Sequence, residues 1–138
     1  MSTCRRLYGV IDQLDHEAAT VAGVSRNDLR ALNALEGGPV RAGALASTLG
    51  LTSGSVSTLI DRLERRGLAQ RVRDTTDRRA VLVAPTPKLF ELLGPLYRRV
   101  ALQLEEVADR YDEADLGLAL RHLDDVIAAY RAALSPRS

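Results

Sequence analysis

The stretch Ala42–Leu68, AGALASTLGLTSGSVSTLIDRLERRGL, decides the fold. It predicts two helices joined by a sharp turn at Gly50. In the first, Leu45 and Leu49 are core positions and Ala46 is the small residue where the second helix crosses. Gly50 tolerates the positive φ the turn needs, and Leu51 plugs back inward. Thr52 or Ser53 caps the second helix, which ends at Gly67. Its Val56, Leu59, Ile60 and Leu63 recur at helical spacing and form the buried stripe. Every slot of a helix-turn-helix is filled by the residue type it requires.

The opposite face of that second helix carries Ser53, Gly54, Ser55, Ser57, Thr58, Asp61, Arg62 and Arg65. It is small and polar near its start and basic further along. Short hydroxyl side chains suit a helix tip pushed into a DNA major groove, where they donate, accept, or offer a methyl to thymine. Free amides at the same end favour phosphate. Ser53, Ser55, Ser57, Thr58 and Arg62 are therefore the expected major-groove residues.

A hairpin follows at once, RVRDTTDRRAVLVAPT (71–86). Two β-type runs, Leu68–Arg73 and Ala80–Ala84, flank an exposed tip at residues 74–78. Arg71, Arg73, Arg78 and Arg79 alternate with Asp74 and Asp77. A guanidinium on such a tip fits a narrow A·T-rich minor groove, where the potential is most negative. A carboxylate two residues before Arg79 fixes its direction by a charge-assisted hydrogen bond. Arg73, Asp77, Arg78 and Arg79 are the expected wing residues.

Working outward, a first helix over about Ser2–Val21 carries Leu7, Val10, Ile11, Leu14, Ala18 and Val21. Ser25 reads as an N-cap with Asp28 three residues on, a capping-box variant. The helix it opens runs through Leu29, Leu32 and Leu35 and ends by Gly37-Gly38-Pro39. Val40 fits a very short strand. Thr86-Pro87 reads as cap and first turn of a helix reaching about Tyr111, with a kink or break expected at Gly94-Pro95. Asp112 caps a last helix through Leu134, with Leu116, Leu120, Leu123, Ile127, Tyr130 and Leu134 on one stripe. The expected class is mainly α with a small β wing. It is one domain, 1–138, with a winged helix-turn-helix at 25–88 between helical regions at 1–22 and 87–138.

The formal net charge of +1 conceals a gradient. Residues 41–88 hold nine basic and four acidic side chains, whereas residues 89–138 hold six and nine. The positive charge sits on the reading unit, as a nucleic-acid face requires. Aromatics are only 4% and Trp is absent, so Leu, Val and Ala must fill the core. The near-exclusive use of arginine, with Lys88 the lone lysine, fits a high-GC genome. No apolar run approaches a membrane span. A single cysteine, Cys4, forms no internal disulfide, which fits a reducing, cytoplasmic setting. The chain lacks G-x-x-x-x-G-K-[ST] and H-E-x-x-H, and its clustered serines have no neighbouring His, so an enzyme is not expected and nothing calls for a cofactor. A winged-helix protein-interaction or assembly module is the alternative; an acidic recognition face would favour it, and this one is basic.

Residues 25–88 resemble the winged helix-turn-helix of the MarR family of bacterial transcription regulators. The resemblance is carried by SVSTLIDRLERRGLAQR (55–71), by D-x-R-A-V-L-V (Asp77–Val83) and by the helix start at Thr86. The flanking helices fit the family too. The resemblance implies a homodimer formed by the first and last two helices on an inverted-repeat operator in double-stranded DNA. Each protomer would place the 53–66 helix in a major groove and Arg79, or its neighbour Arg78, in the flanking minor groove, with Asp77 orienting the arginine. It also implies a repressor released by a small-molecule effector or an oxidant.

The leucine-rich stripes of the terminal helices point the same way, since a second copy would bury them. Burial of all three helices within one chain is the alternative. Cys4 is a weak sensor candidate beside Arg5 and Arg6. His16, with Asp12, Asp15 and Glu17 nearby, and His122 lack the spacing of a metal site. Tyr8, Tyr97, Tyr111 and Tyr130 read first as core or interface packing, and second as lining for an effector pocket.

Overall fold

Caps and glycines set the element boundaries. The computed structural model describes residues 3–77 and 80–134. In chain order the elements are α1 (Thr3–Ala22), α2 (Arg26–Ala34), β1 (Val40–Arg41), α3 (Ala42–Leu49), α4 (Ser53–Arg65), β2 (Ala69–Arg73), β3 (Val81–Pro85), α5 (Pro87–Ala108) and α6 (Glu113–Leu134). Ser25 caps α2 by accepting from the Asp28 amide at 3.1 Å. Thr52, not Ser53, caps α4, accepting from the Ser55 amide at 3.2 Å. Asp112 accepts from the Asp115 amide at 2.8 Å ahead of α6. Each such cap contributes about 1 kcal/mol.

Gly50 ends α3 with φ 68°, and the Leu51 amide reaches back to the Ala46 carbonyl at 2.9 Å. Gly67 repeats the device after α4 with φ 71°, and the Leu68 amide donates to the Leu63 carbonyl at 2.9 Å. Only glycine adopts this left-handed closure without strain, so the two residues fix where the second helix begins and ends its run.

The chain divides into two compact units, Met1–Leu96 and Tyr97–Ser138. In the first, α3 packs on α2 and α4, α1 packs on α2, and α4 packs on β2. The strands form one antiparallel sheet in the order β1-β3-β2. Val40 faces Val83 at one edge, and Arg73 faces Val81 near the hairpin tip. Leu29, Leu35, Leu45, Ile60, Leu63, Leu68 and Val83 are the largest fully buried side chains. The expected stripe of α4, Val56, Leu59, Ile60 and Leu63, is buried throughout, and so is Ala46 at the crossing. Leu49 and Leu51 are only half-buried.

The second unit holds the end of α5 and all of α6, and no described residue in it is buried. The expected stripe is present on α6, yet Leu120, Leu123, Ile127, Tyr130 and Leu134 stay exposed. Along α1, Leu7, Val10, Ile11 and Val21 are exposed and only Ala18 of the expected stripe is buried. Tyr8, Tyr111 and Tyr130 are exposed as well.

Three local expectations also change. Each hairpin strand starts one residue later than the residue pattern suggests. The Thr86 hydroxyl donates to the Gly67 carbonyl at 2.6 Å, so this side chain ties α5 to the end of α4. The helix runs unbroken through Gly94-Pro95; Pro95 lies on an exposed face, where water can satisfy the carbonyl its missing N–H leaves open. No described helix is long and apolar enough to cross a membrane.

Candidate nucleic-acid interface

The outer face of α4 is built as the sequence demands, but its hydroxyls are already partly committed. Ser53, Gly54, Ser55, Ser57 and Thr58 are all exposed along the first two turns. The Thr52 hydroxyl accepts from the Ser55 amide and donates to the Ser55 hydroxyl at 2.9 Å. The Thr58 hydroxyl donates to the Gly54 carbonyl at 3.1 Å, which leaves its lone pairs and its methyl for whatever lies outside. Thr58 is thus set as an acceptor with an apolar edge.

Further along the helix the charges are paired. Arg62 turns toward α2, where its Nη2 lies 2.6 Å from the Oδ1 of Asp28. The hydrogen bond to Asp28, and then the carboxylate's charge, raise the Arg62 pKa above its ordinary value. Asp28 is buried and Arg62 is half-exposed. The sequence placed Arg62 among the groove residues; the structure gives its guanidinium a partner inside the protein.

Arg71, at the root of the wing, gathers the two acids of α4. Its Nη2 is 2.8 Å from Asp61 Oδ1, its Nη1 pairs with Glu64, and its backbone amide donates to Glu64 Oε1 at 2.8 Å. The Asp61 hydrogen bond, followed by the charges of Glu64 and Asp61, raises the Arg71 pKa. The pairing also offsets the charge of two carboxylates on this helix. At the same, C-terminal end of α4, the Lys88 ammonium donates to the Arg66 carbonyl at 2.7 Å, a cation at the negative end of the helix dipole. Arg65 and Arg66 are exposed nearby.

The wing turn is organised by Asp74. Its Oδ1 accepts from the amides of Thr76 at 2.8 Å and Asp77 at 3.3 Å. These two bonds, with the neighbouring Arg41 charge, hold the Asp74 carboxyl below the usual aspartate range. Arg41 Nη2 lies 3.3 Å from Asp74 and 3.5 Å from Asp77. Asp77 thus faces a cation from the start of α3. Arg73 is exposed on β2. Arg78 and Arg79, the wing's expected minor-groove residues, lie outside the described residues.

Sequence reasoning named the hydroxyl face and the wing but missed the clasps: Asp28 to Arg62, Arg71 to Asp61 and Glu64, Arg41 to the wing aspartates, and Lys88 to the helix end. A signal existed for Arg71, because Asp61 and Glu64 share a helix face at i, i+3 just ahead of an arginine-bearing strand. None existed for Asp28 and Arg62, which meet only through the tertiary fold.

Of the sensor candidates, Cys4 is exposed in the first turn of α1. Among the described residues, no group of three or more His, Cys, Asp or Glu side chains comes together as a metal site.

The family model describing the MarR family matches residues 22–80. The uncharacterized HTH-type transcriptional regulator YcgE of Bacillus subtilis is 36% identical over 115 residues, which span 82% of this chain and 75% of that protein. Among solved structures, a transcriptional regulator of Thermotoga maritima is 25% identical and superposes with a TM-score of 0.59 over 96% of both chains. FabT of Streptococcus pneumoniae, solved in complex with DNA, is 21% identical with a TM-score of 0.64, covering 94% of this chain and 95% of its own; at that identity the likeness is one of fold. With a hydroxyl-tipped α4, a basic wing and these relatives together, the chain belongs to the MarR family of DNA-binding transcriptional regulators, which are not enzymes.

Proposed function

We propose that the chain acts in the cytoplasm as a homodimeric repressor on an inverted-repeat operator in double-stranded DNA. Each protomer presents α4 to a major groove through Ser53, Ser55, Ser57 and Thr58, and the wing residues Arg73, Asp77, Arg78 and Arg79 to the flanking minor groove. Arg62 serves the same surface from its place beside Asp28. The observation that carries this reading is the two-faced α4. Its apolar stripe is buried without exception, while its first two turns expose a run of serine and threonine.

The pairing of two chains rests on residues 1–22 and 87–138. There Leu7, Val10 and Ile11 of α1 and Leu120, Leu123 and Ile127 of α6 are exposed in the single chain. Apolar side chains in such numbers are covered in a working protein, and a two-fold partner repeats the reading head at the same time. FabT's complex with DNA offers the parallel in a protein of the same fold. Release from DNA by a small molecule or an oxidant completes the reading, on the family's pattern.

Selection of bound sequences from a random DNA pool tests it. The enriched site is an inverted repeat with half-site centres about one helical turn, roughly 10 base pairs, apart. Enrichment of no sequence over the starting pool would overturn it and return the winged unit to a protein-interaction role.

A further inference from the structure

We infer that Asp28 is a positioning residue for DNA recognition, holding α4 at a fixed roll by gripping Arg62, and that Arg62 works through this grip, not through a contact to DNA. The inference rests on the proposed placement of α4 in the groove.

Asp28 is the one buried charged side chain among the described residues, 4% exposed. A carboxylate shut away from water needs a partner, and Arg62 Nη2 at 2.6 Å supplies it. The grip is rigid on the Asp28 side because the residue sits in the first turn of α2, its amide already held by Ser25. The same turn is tied backward: Arg26 pairs with the Asp12 carboxylate of α1, and its Nη1 donates to the Asp12 carbonyl at 3.4 Å. Polar bonds therefore run from α1 through the start of α2 to α4, all within one compact unit. The hydrogen bond to Asp12 comes first among the influences that raise the Arg26 pKa.

Arg62 is well placed to set the roll of the helix. It lies four residues after Thr58, one turn along the same face. The buried stripe of Val56, Leu59, Ile60 and Leu63 holds α4 against the core, but apolar contact is non-directional and permits small rotations. A charge-assisted hydrogen bond is directional and short, so it selects one rotation. A change of roll would move Ser57 and Thr58 together relative to the base edges.

Binding to the selected operator and to a scrambled duplex, each across a range of salt, separates this role from direct contact. The proteins compared are wild type, Asp28→Asn, Arg62→Gln, the double variant and Arg62→Lys, each checked for folding by circular dichroism. Asp28→Asn removes a negative charge from a DNA-binding unit, so electrostatics alone would tighten binding. Positioning predicts the opposite sign. Asp28→Asn and Arg62→Gln should each cut the operator-to-scrambled ratio by roughly tenfold, about one lost base-specific contact. The double variant should be no worse than the poorer single variant, and Arg62→Lys should regain part of the loss. The dependence of log affinity on log salt should keep its slope.

Operator binding by Asp28→Asn as tight as wild type, or a slope reduced by about 0.9 in Arg62→Gln as for one lost phosphate contact, would overturn the inference. If Asp28→Asn does not fold, Arg62→Gln decides with a series of single base-pair changes in the operator: a ratio lost at constant slope and spread over the base pairs read by Ser57 and Thr58 supports positioning, and a loss confined to one base pair or a lower slope refutes it. Failure of wild type to prefer its operator would instead remove the reading on which the inference rests.

Discussion

Every buried apolar side chain among the described residues lies between Ala18 and Leu96, whereas the described stretch from Tyr97 to Leu134 buries none. Both regions carry helices with leucine-bearing stripes. What differs is where the stripe's partner comes from. For α4 in the first region the partner is the same chain, so α4 and the wing are held ready before any DNA arrives. In the second, nothing within α6 itself buries Leu120 or Ile127, and under the proposed function the partner is a second copy. Under that proposal the first region reads, and the second joins two reading heads into one.

The sharpest way to break that division is to charge the second region. Leu120→Asp combined with Ile127→Asp should yield a chain that no longer pairs and that loses at least about 100-fold in operator affinity, because linking two half-site contacts multiplies affinity by roughly 10²–10⁴. Binding to an isolated half-site should persist, and gel-shift titrations on both duplexes check it. In the first region the corresponding cut is Leu63→Ala, at a side chain with 0% exposure. It should cost about 2–5 kcal/mol in urea melts, with the remaining folded protein still preferring the operator.

A smaller effect sharpens what α4 reads. Thr58→Val keeps the exposed methyl and loses the hydroxyl that now donates to Gly54. It should relax preference at one base pair by about 1–3 kcal/mol while leaving the others intact, as a mismatch series would show. A uniform loss across all sequences would make Thr58 a positioning contact only.

The smallest effect is one of pH. The amides of Thr76 and Asp77 and the Arg41 charge lower the Asp74 pKa in the folded state. A lowered folded value means the carboxylate adds stability at neutral pH. That contribution begins to fade as the pH falls toward the ordinary aspartate value of about 4, and is gone below the lowered folded value. Asp74→Asn should flatten this acid limb in thermal melts and leave stability above pH 5 with little pH dependence from this site.

The fold was largely legible from the residues, because its boundaries are made by local chemistry. Ser25, Thr52 and Asp112 cap helices through their own side chains, and Gly50 and Gly67 adopt the left-handed closure that their neighbours cannot. The α4 stripe announces itself by period alone. The hydroxyl face was legible for the same reason, being the complement of that stripe.

The clasps were not, because a sequence does not say which charges meet. Arg62 looked like one more outward arginine until the fold brought buried Asp28 beside it. Nothing in the sequence marks Arg41, and the hairpin's return brings Asp74 and Asp77 to it. Pro95 misled in the other direction. A proline inside a helix suggests a kink or a break; the helix continues past Pro95, whose exposed face lets water reach the carbonyl left open.

The division of labour between the two regions is tested most directly by weighing the protein, free and on its operator, by size-exclusion chromatography with light scattering. The account predicts a free species of about twice the 15.0 kDa chain mass, and a complex holding two chains per inverted repeat. A monomer at micromolar concentration that binds a single half-site as tightly as the full operator would contradict it.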